Sequence, residues 1–288
     1  MSDLIDAIIQ TRKTAEQIAI NSLINIEGKN EIEVRDKILA EIKNHNELYP
    51  NGWYDPPQGG VGILFDEKPF KRLQFDSLRK SEYWPNETSK FKKETIGMIY
   101  LSPIDRKTNM IGDIGFIVYR GEDAEVKKHI KTCYDIILGI AEHAEIGMSF
   151  SELCTFAKKS YKDKLKASKW ITLFLHPLND DDVNIGHTVP GSFKANFNFG
   201  NTFEEIRETI KTKRVFINSG EQFKIPETCA FTIEARLADA EKEYLPNVFF
   251  HFIVCFNKGE KTILENFSEI FKTIGMDYMN LRHGVDEI

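Results

Sequence analysis

Two amphipathic helical hairpins recur along this chain and align with one another, and that recurrence constrains the fold most. Between residues 3 and 25 the apolar positions Leu4, Ile5, Ile8, Ile9, Ala15, Ile18, Ala19 and Leu23 fall at helical spacing. A turn at Glu27–Asn30 follows, and Val34, Ile38, Leu39 and Ile42 mark a second helix. The pattern returns as VKKHIKTCYDIILGIAEHA, a turn EIGMS, and FSELCTFAKKSYKDKL. Lys13-Thr14 matches Lys131-Thr132 and Ile18 matches Ile136 at an offset of 118 residues. Gly28 matches Gly147 and Glu33 matches Glu152 at 119, so one inserted residue separates the two registers. Such a pair suggests a duplicated half-domain, with halves of roughly 1–112 and 113–288 in a single domain.

Between and after the hairpins the pattern changes to strands. Residues 61–65, 96–101 and 114–119 read as buried strands, and PNGWYDPPQGG at 50–60 as a Pro/Gly-rich loop. Residues 183–191, VNIGHTVPG, read as a strand or loop with a turn, and 211–223 as a segment ending in a Gly turn. Strands are predicted at 229–237, 248–256 and 261–267, with a hairpin turn at Asn257–Glu260. Helices that alternate with hairpins, with a strand-rich end, give an α+β domain. The 288 residues suffice for a sizeable core without staples.

Charge narrows the function. The formal net charge is −6 with no basic block, which argues against nucleic acid or an anionic membrane as partner. No apolar run approaches the roughly 18 residues of a membrane span, and the opening MSDLIDAIIQTRK reverses the charge order of a secretory signal. Cys133, Cys154, Cys229 and Cys255 lack CxxC spacing and read as buried free thiols. A cytoplasmic location is the expectation.

Four residues carry potential chemistry. Asp113 follows a glycine and opens an apolar strand, where a carboxylate needs a partner or a metal; a turn at the strand edge is the plainer reading. His187 lies between Gly186 and Pro190 on a constrained backbone, as a ligand or a satisfied core residue. Glu234 interrupts the apolar run AFTI, facing either a site or water, with Arg236 on the same face of the strand. His251 sits in VFFHFIVCF, where the period of a strand lets only one of Phe250 and His251 enter a given pocket.

Their order resembles the pita-bread family of methionine aminopeptidases, prolidases, aminopeptidase P and creatinase. The series runs Gly-Asp at a strand start, Gly-His near a proline, Phe-Thr-Ile-Glu, and an apolar strand before a hairpin. RKTAEQIAINSLINIEGKNEIEVRDKILAEI looks like the family's opening helices. The resemblance implies a pita-bread fold, itself a duplicated half. It also implies a metal site in which Asp113 matches the second aspartate, His187 the histidine and Glu234 the first glutamate. The first aspartate falls on Ser102, with Asp105 three residues out of register, and the last glutamate falls on Phe250 or His251.

A reduced site is therefore expected. Asp113, His187, Glu234 and, if it turns inward, His251 would hold one divalent ion, Fe, Mn, Zn or Co, per chain. His251 and His176 are candidates for the base such a site would need. Trp53, Tyr54 and Asp55 of the loop are candidate substrate contacts, as is Arg236; Arg72 and Arg79 also offer carboxylate-binding forks. Asp180-Asp181-Asp182 lacks the spacing of a calcium loop. The leading expectation is a metal-dependent enzyme acting on a small amino-acid derivative or short peptide, by C–N hydrolysis or an iron-dependent oxidative or lyase step, with a second copy of the chain in a homodimer as a candidate partner. The alternatives are a conventional two-metal aminopeptidase, which Asp105 would support, and an inactive binding module of the same fold.

Overall fold

The computed structural model describes residues 2–74, 77–165, 169–171, 175–176, 179–194, 196–239, 242 and 244–280. The chain opens with α1 (Ser2–Leu23) and α2 (Glu31–Asn44). The start of α2 is fixed by a capping box: Asn30 accepts from the Glu33 amide, and Glu33 accepts from the Asn30 amide. Strands β1 (Val61–Asp66), β2 (Ile96–Leu101) and β3 (Ile114–Tyr119) form an antiparallel sheet in that order. The second helical pair follows as α3 (Ala124–His143), N-capped by Asp123, and α4 (Phe150–Leu165).

Short strands β4 (Lys169–Ile171), β5 (Leu175–His176) and β6 (Asn179–Val183) lead to α5 (Phe203–Thr212). Then come β7 (Cys229–Ile233), β8 (Arg236–Ala238), β9 (Val248–Phe249), β10 (Phe252–Asn257), β11 (Glu260–Leu264) and α6 (Ser268–Ile274). Sheets of order β11-β10-β7 and β4-β8-β9 and the pair β5-β6 complete the topology. Helix α1 packs on α2, α6, β3 and β10, and α3 packs on α4, β7, β9 and β10. Both helical pairs thus cover antiparallel strands, and one continuous apolar core runs through the described residues. Strand β3 pairs with β2 and so belongs to the sheet that follows the first helical pair. No helix among the described residues is long and apolar enough to cross a membrane. The four cysteines are free and buried.

The predicted strands at 229–237 and 248–256 are each broken in two. The first breaks at Glu234-Ala235, the second at Phe250-His251. At each break the backbone leaves its sheet ladder for another partner. Glu234 donates its amide to the Ile185 carbonyl at 2.8 Å, and His251 to the Gly115 carbonyl at 2.8 Å. The breaks bring both side chains close to each other, His251 Nε2 standing 3.7 Å from Glu234 Oε2. Helices α5 and α6, which the apolar pattern does not single out, are set by local signals. A Thr202/Glu205 capping box opens α5, and Gly275 in the left-handed conformation closes α6.

Candidate active site

Asp113, at the entry to β3, is fully buried. Its carboxylate accepts from Trp53 Nε1 at 2.8 and 2.9 Å and from the Tyr100 hydroxyl at 2.7 Å. Trp53 is held there by the loop: its amide donates to the Ser102 carbonyl, and Ser102 Oγ donates to the Gly60 carbonyl while accepting from the Tyr54 amide. Ser102, at the position of the missing aspartate, is therefore a clamp on the loop. Asp105 accepts from Thr108 at both amide and hydroxyl, and so closes a local turn.

His187 lies beside β7. Its amide donates to Thr232 Oγ1, and Nδ1 stands 3.0 Å from the Thr188 carbonyl. That contact assigns the proton to Nδ1 and leaves Nε2 as an acceptor, 3.2 Å from Glu234 Oε1. The same oxygen accepts from the Thr232 hydroxyl at 3.1 Å. His251 Nε2 stands 3.7 Å from Glu234 Oε2 and 3.9 Å from Asp113 Oδ2. Neither ring nitrogen of His251 has a hydrogen-bond partner among the described residues. Phe250 turns the other way, its ring edge-on to Tyr134 at 5.1 Å and to Phe267 at 5.6 Å. The choice between Phe250 and His251 is thus decided for the histidine.

Burial sets the ionisation of the cluster. It pushes Asp113 up to about 7 against its bonds from Tyr100 and Trp53. It pushes Glu234 up to about 7, opposed chiefly by the charge of Arg214. It drives both His187 and His251 well below the usual imidazole range. Burial thus favours the neutral form of all four groups.

The side chains expected as metal ligands stand in pairwise contact, with His187 on one oxygen of Glu234 and His251 on the other. Asp113 spends both oxygens on Trp53 and Tyr100. Among the described residues, no group of three or more His, Cys, Asp or Glu side chains is placed to hold a metal ion.

The remaining sequence-predicted residues fall in different places. Tyr54 is buried, edge-on to Trp53 and Tyr100, with the Arg79 guanidinium 4.1 Å above its ring. Asp55 is half-buried, its carboxylate 3.8 Å from Arg207 and its carbonyl accepting from Arg79 and Arg207. Arg236 is completely buried in β8, away from any solvent-open wall, and acts on the site as a charge that lowers Glu234. Arg72 is fixed on Glu31 beneath β1. The side chains of His176 and of Asp180–Asp182 lie outside the described residues.

Three functional residues escape the sequence reading. Arg12 donates to the carbonyls of Asp113, His251 and Glu265, tying α1 to two residues of the cluster. Its position on the apolar stripe of α1, between Ile8 and Ala15, is the signal that could have found it. Tyr100 is concealed by its apolar strand. Arg214 lies over Trp53 at 4.9 Å and over Phe216 at 5.0 Å, the two rings that flank His187. No spacing marks Arg214 in advance.

No family model and no curated protein matches the sequence. The fold does match solved structures, and it is the pita-bread fold. X-Pro aminopeptidase from Thermotoga maritima superposes with a TM-score of 0.59 at 13% identity, over 92% of this chain and 61% of that one. Prolidase from Pyrococcus furiosus gives 0.60 at 16% identity, over 92% and 64%. Aminopeptidase P from E. coli gives 0.61 at 10%, over 96% and 59%. This chain spans about three fifths of the length of the structures it matches.

Proposed function

We propose that this chain hydrolyses a C–N bond in a small amino-acid derivative or short peptide, through a buried acid–base cluster. The observation that carries the reading is a run of contacts through two carboxyl groups and two imidazoles from four separate segments: His187 to Glu234 at 3.2 Å, Glu234 to His251 at 3.7 Å and His251 to Asp113 at 3.9 Å. Clusters of buried groups with displaced ionisation concentrate at catalytic centres. The fold is shared with an X-Pro aminopeptidase and a prolidase, which supports a peptide-like substrate.

Glu234 is the acid–base residue in this reading. With its proton affinity near neutrality, it takes a proton from the attacking water and returns it to the leaving nitrogen. His187, locked by the Thr188 carbonyl, orients the Glu234 carboxyl group. The unpartnered ring of His251, neutral, offers one nitrogen as acceptor and one N–H as donor to the water or the substrate. Asp113, braced by Trp53 and Tyr100, holds the opposite wall. No step in this reading is assigned to a metal.

A second reading has one observation in its favour. Asp113, His187, Glu234 and His251 are 0–7% exposed, as expected of a fold kept for binding after its site has closed. One assay separates the two. Wild-type protein is offered a panel of dipeptides, Xaa-Pro peptides among them, and amine release is followed. Turnover that falls at least 100-fold in Glu234→Gln supports the hydrolase. No turnover across the panel by folded protein supports the binding module.

A further inference from the structure

Beside the buried cluster stands a group of cations that the proposed chemistry does not use. Arg79 and Arg207 come from distant parts of the chain, yet both donate to the single carbonyl of Asp55, at 3.2 and 3.0 Å. Two guanidinium groups on one oxygen are necessarily close neighbours. Each is seated on an aromatic ring, Arg79 over Tyr54 at 4.1 Å and Arg207 over Phe203 at 5.7 Å. Stacking fixes the plane of a guanidinium and leaves its edge for an acceptor. Lys211 lies one turn along α5 from Arg207 and faces the same two arginines. All three side chains are half-buried.

Among the described residues, the acidic groups facing these cations are Asp55, 3.8 Å from Arg207, and the exposed Glu208 on α5. Asp55 spends its other oxygen on the Gly59 amide. Burial and mutual repulsion both disfavour the charge on Lys211. Holding like charges together costs stability, and a bound anion of more than one charge offsets that cost.

We propose that Arg79, Arg207 and Lys211 form a binding site for a small, multiply charged anionic group, a dicarboxylate or a phosphate ester, beside the Trp53–Asp55 loop. The proposal deepens the hydrolase reading by naming the charge class of its substrate, but the site is measurable without any turnover. The planar forks of the two arginines suit pairs of oxygens, and Lys211 adds a point charge on the same side. A ligand so held lies beside the Trp53–Tyr54 loop, whose indole reaches Asp113.

The test is calorimetric titration of the folded chain with malonate, inorganic phosphate and acetate at fixed ionic strength. Malonate or phosphate should bind at least tenfold more tightly than acetate. Arg79→Gln, Arg207→Gln and Lys211→Gln should each weaken that binding about tenfold, whereas Lys128→Gln, an exposed charge on α3, should leave it unchanged. Tighter binding of malonate than phosphate identifies a dicarboxylate; the reverse identifies a phosphate ester. Equal binding of all three, no binding at millimolar concentration, or equal loss in Lys128→Gln overturns the proposal. Lys211→Gln keeps the test open if an arginine variant fails to fold. Selective binding with no dipeptide turnover would leave this site standing and remove the hydrolase reading. Turnover without dianion selectivity would do the opposite.

Discussion

Arg12 and His251 are 239 residues apart in sequence, and a 2.8 Å bond from the Arg12 guanidinium to the His251 carbonyl joins them. The same guanidinium holds the carbonyls of Asp113 and Glu265. One side chain on α1 thus fixes the backbone at two corners of the cluster. Burial lowers Arg12 to about 9, opposed by the nearby Asp113, so the charge is held at a cost that only satisfied bonds offset. Arg12→Met nearly keeps the volume and removes the donor from two buried carbonyls and one half-buried one. It should destabilise the fold by about 3–5 kcal/mol in urea unfolding. A loss under 1 kcal/mol would mean that the clamp carries no structural weight.

The cluster also sets a pH dependence. Asp113 and Glu234 have folded-state values near 7, above their unfolded values of 3.8 and 4.5. The folded state therefore binds more protons than the unfolded state between those limits. Their contribution to stability is greatest below about pH 4 and is lost as pH rises through 7. Asp113→Asn removes one of the two titrations. Unfolding free energy, measured from pH 5 to 8, should fall less steeply in Asp113→Asn than in wild type, by roughly 2–3 kcal/mol over the range. Parallel curves would show that Asp113 is ionised throughout.

Trp53→Phe isolates one bond to that carboxylate. The ring face under Arg214 is retained, while the indole N–H that reaches both Asp113 oxygens is lost. Donors to a carboxylate favour its charged form, so the Asp113 titration should move upward from about 7. Carboxyl infrared difference spectra against pH would follow it. An unmoved or lowered midpoint would place the stabilisation of the anion elsewhere, in Tyr100 or Arg214.

Pairwise donors predict weak metal affinity. Protein purified without chelator should carry well under about 0.1 equivalent of iron, manganese, zinc or cobalt, and chelator should leave its unfolding midpoint unchanged, because only an ion bound to the native state adds stability. One equivalent, lost on Asp113→Ala or His187→Ala, would restore the metal centre that the sequence led us to expect and would require the four side chains to close on a common ion.

Much of the cluster is legible in the sequence because each member breaks a local pattern. Asp113, His187, Glu234 and His251 are polar residues in apolar runs, and burial makes such residues either costly or useful. The strand breaks at Glu234-Ala235 and Phe250-His251 are not legible, since the flanking residues all favour strand and only tertiary partners, Ile185 and Gly115, decide the break. Arg214 is the opposite case: it lies in a polar segment, KTKR, where one more cation carries no signal. Its role comes from the packing of Trp53 and Phe216, which no spacing encodes.

The two glycines that precede Asp113 and His187 give the sharpest test of that reading. Gly112 lies against the backbone of Thr11 and Arg12, and Gly186 against the Thr232 carbonyl; a Cβ at either position would overlap main-chain atoms. Main chain cannot swing aside as a long side chain can, so the neighbouring segment must move. At Gly112 that motion pulls α1, and with it the Arg12 clamp, from the Asp113 corner. At Gly186 it pushes the His187 segment off β7, where the His187 amide meets Thr232 and Nε2 meets Glu234. Gly112→Ala and Gly186→Ala should therefore each cost about 2–4 kcal/mol of stability, at the upper end for overpacking. Gly139→Ala, on α3 with open space around it, should be neutral or slightly stabilising. Chemical unfolding of the three variants side by side decides the matter. Equal, small effects would mean that the Gly-Asp and Gly-His pairs in the sequence do not reflect close backbone approach.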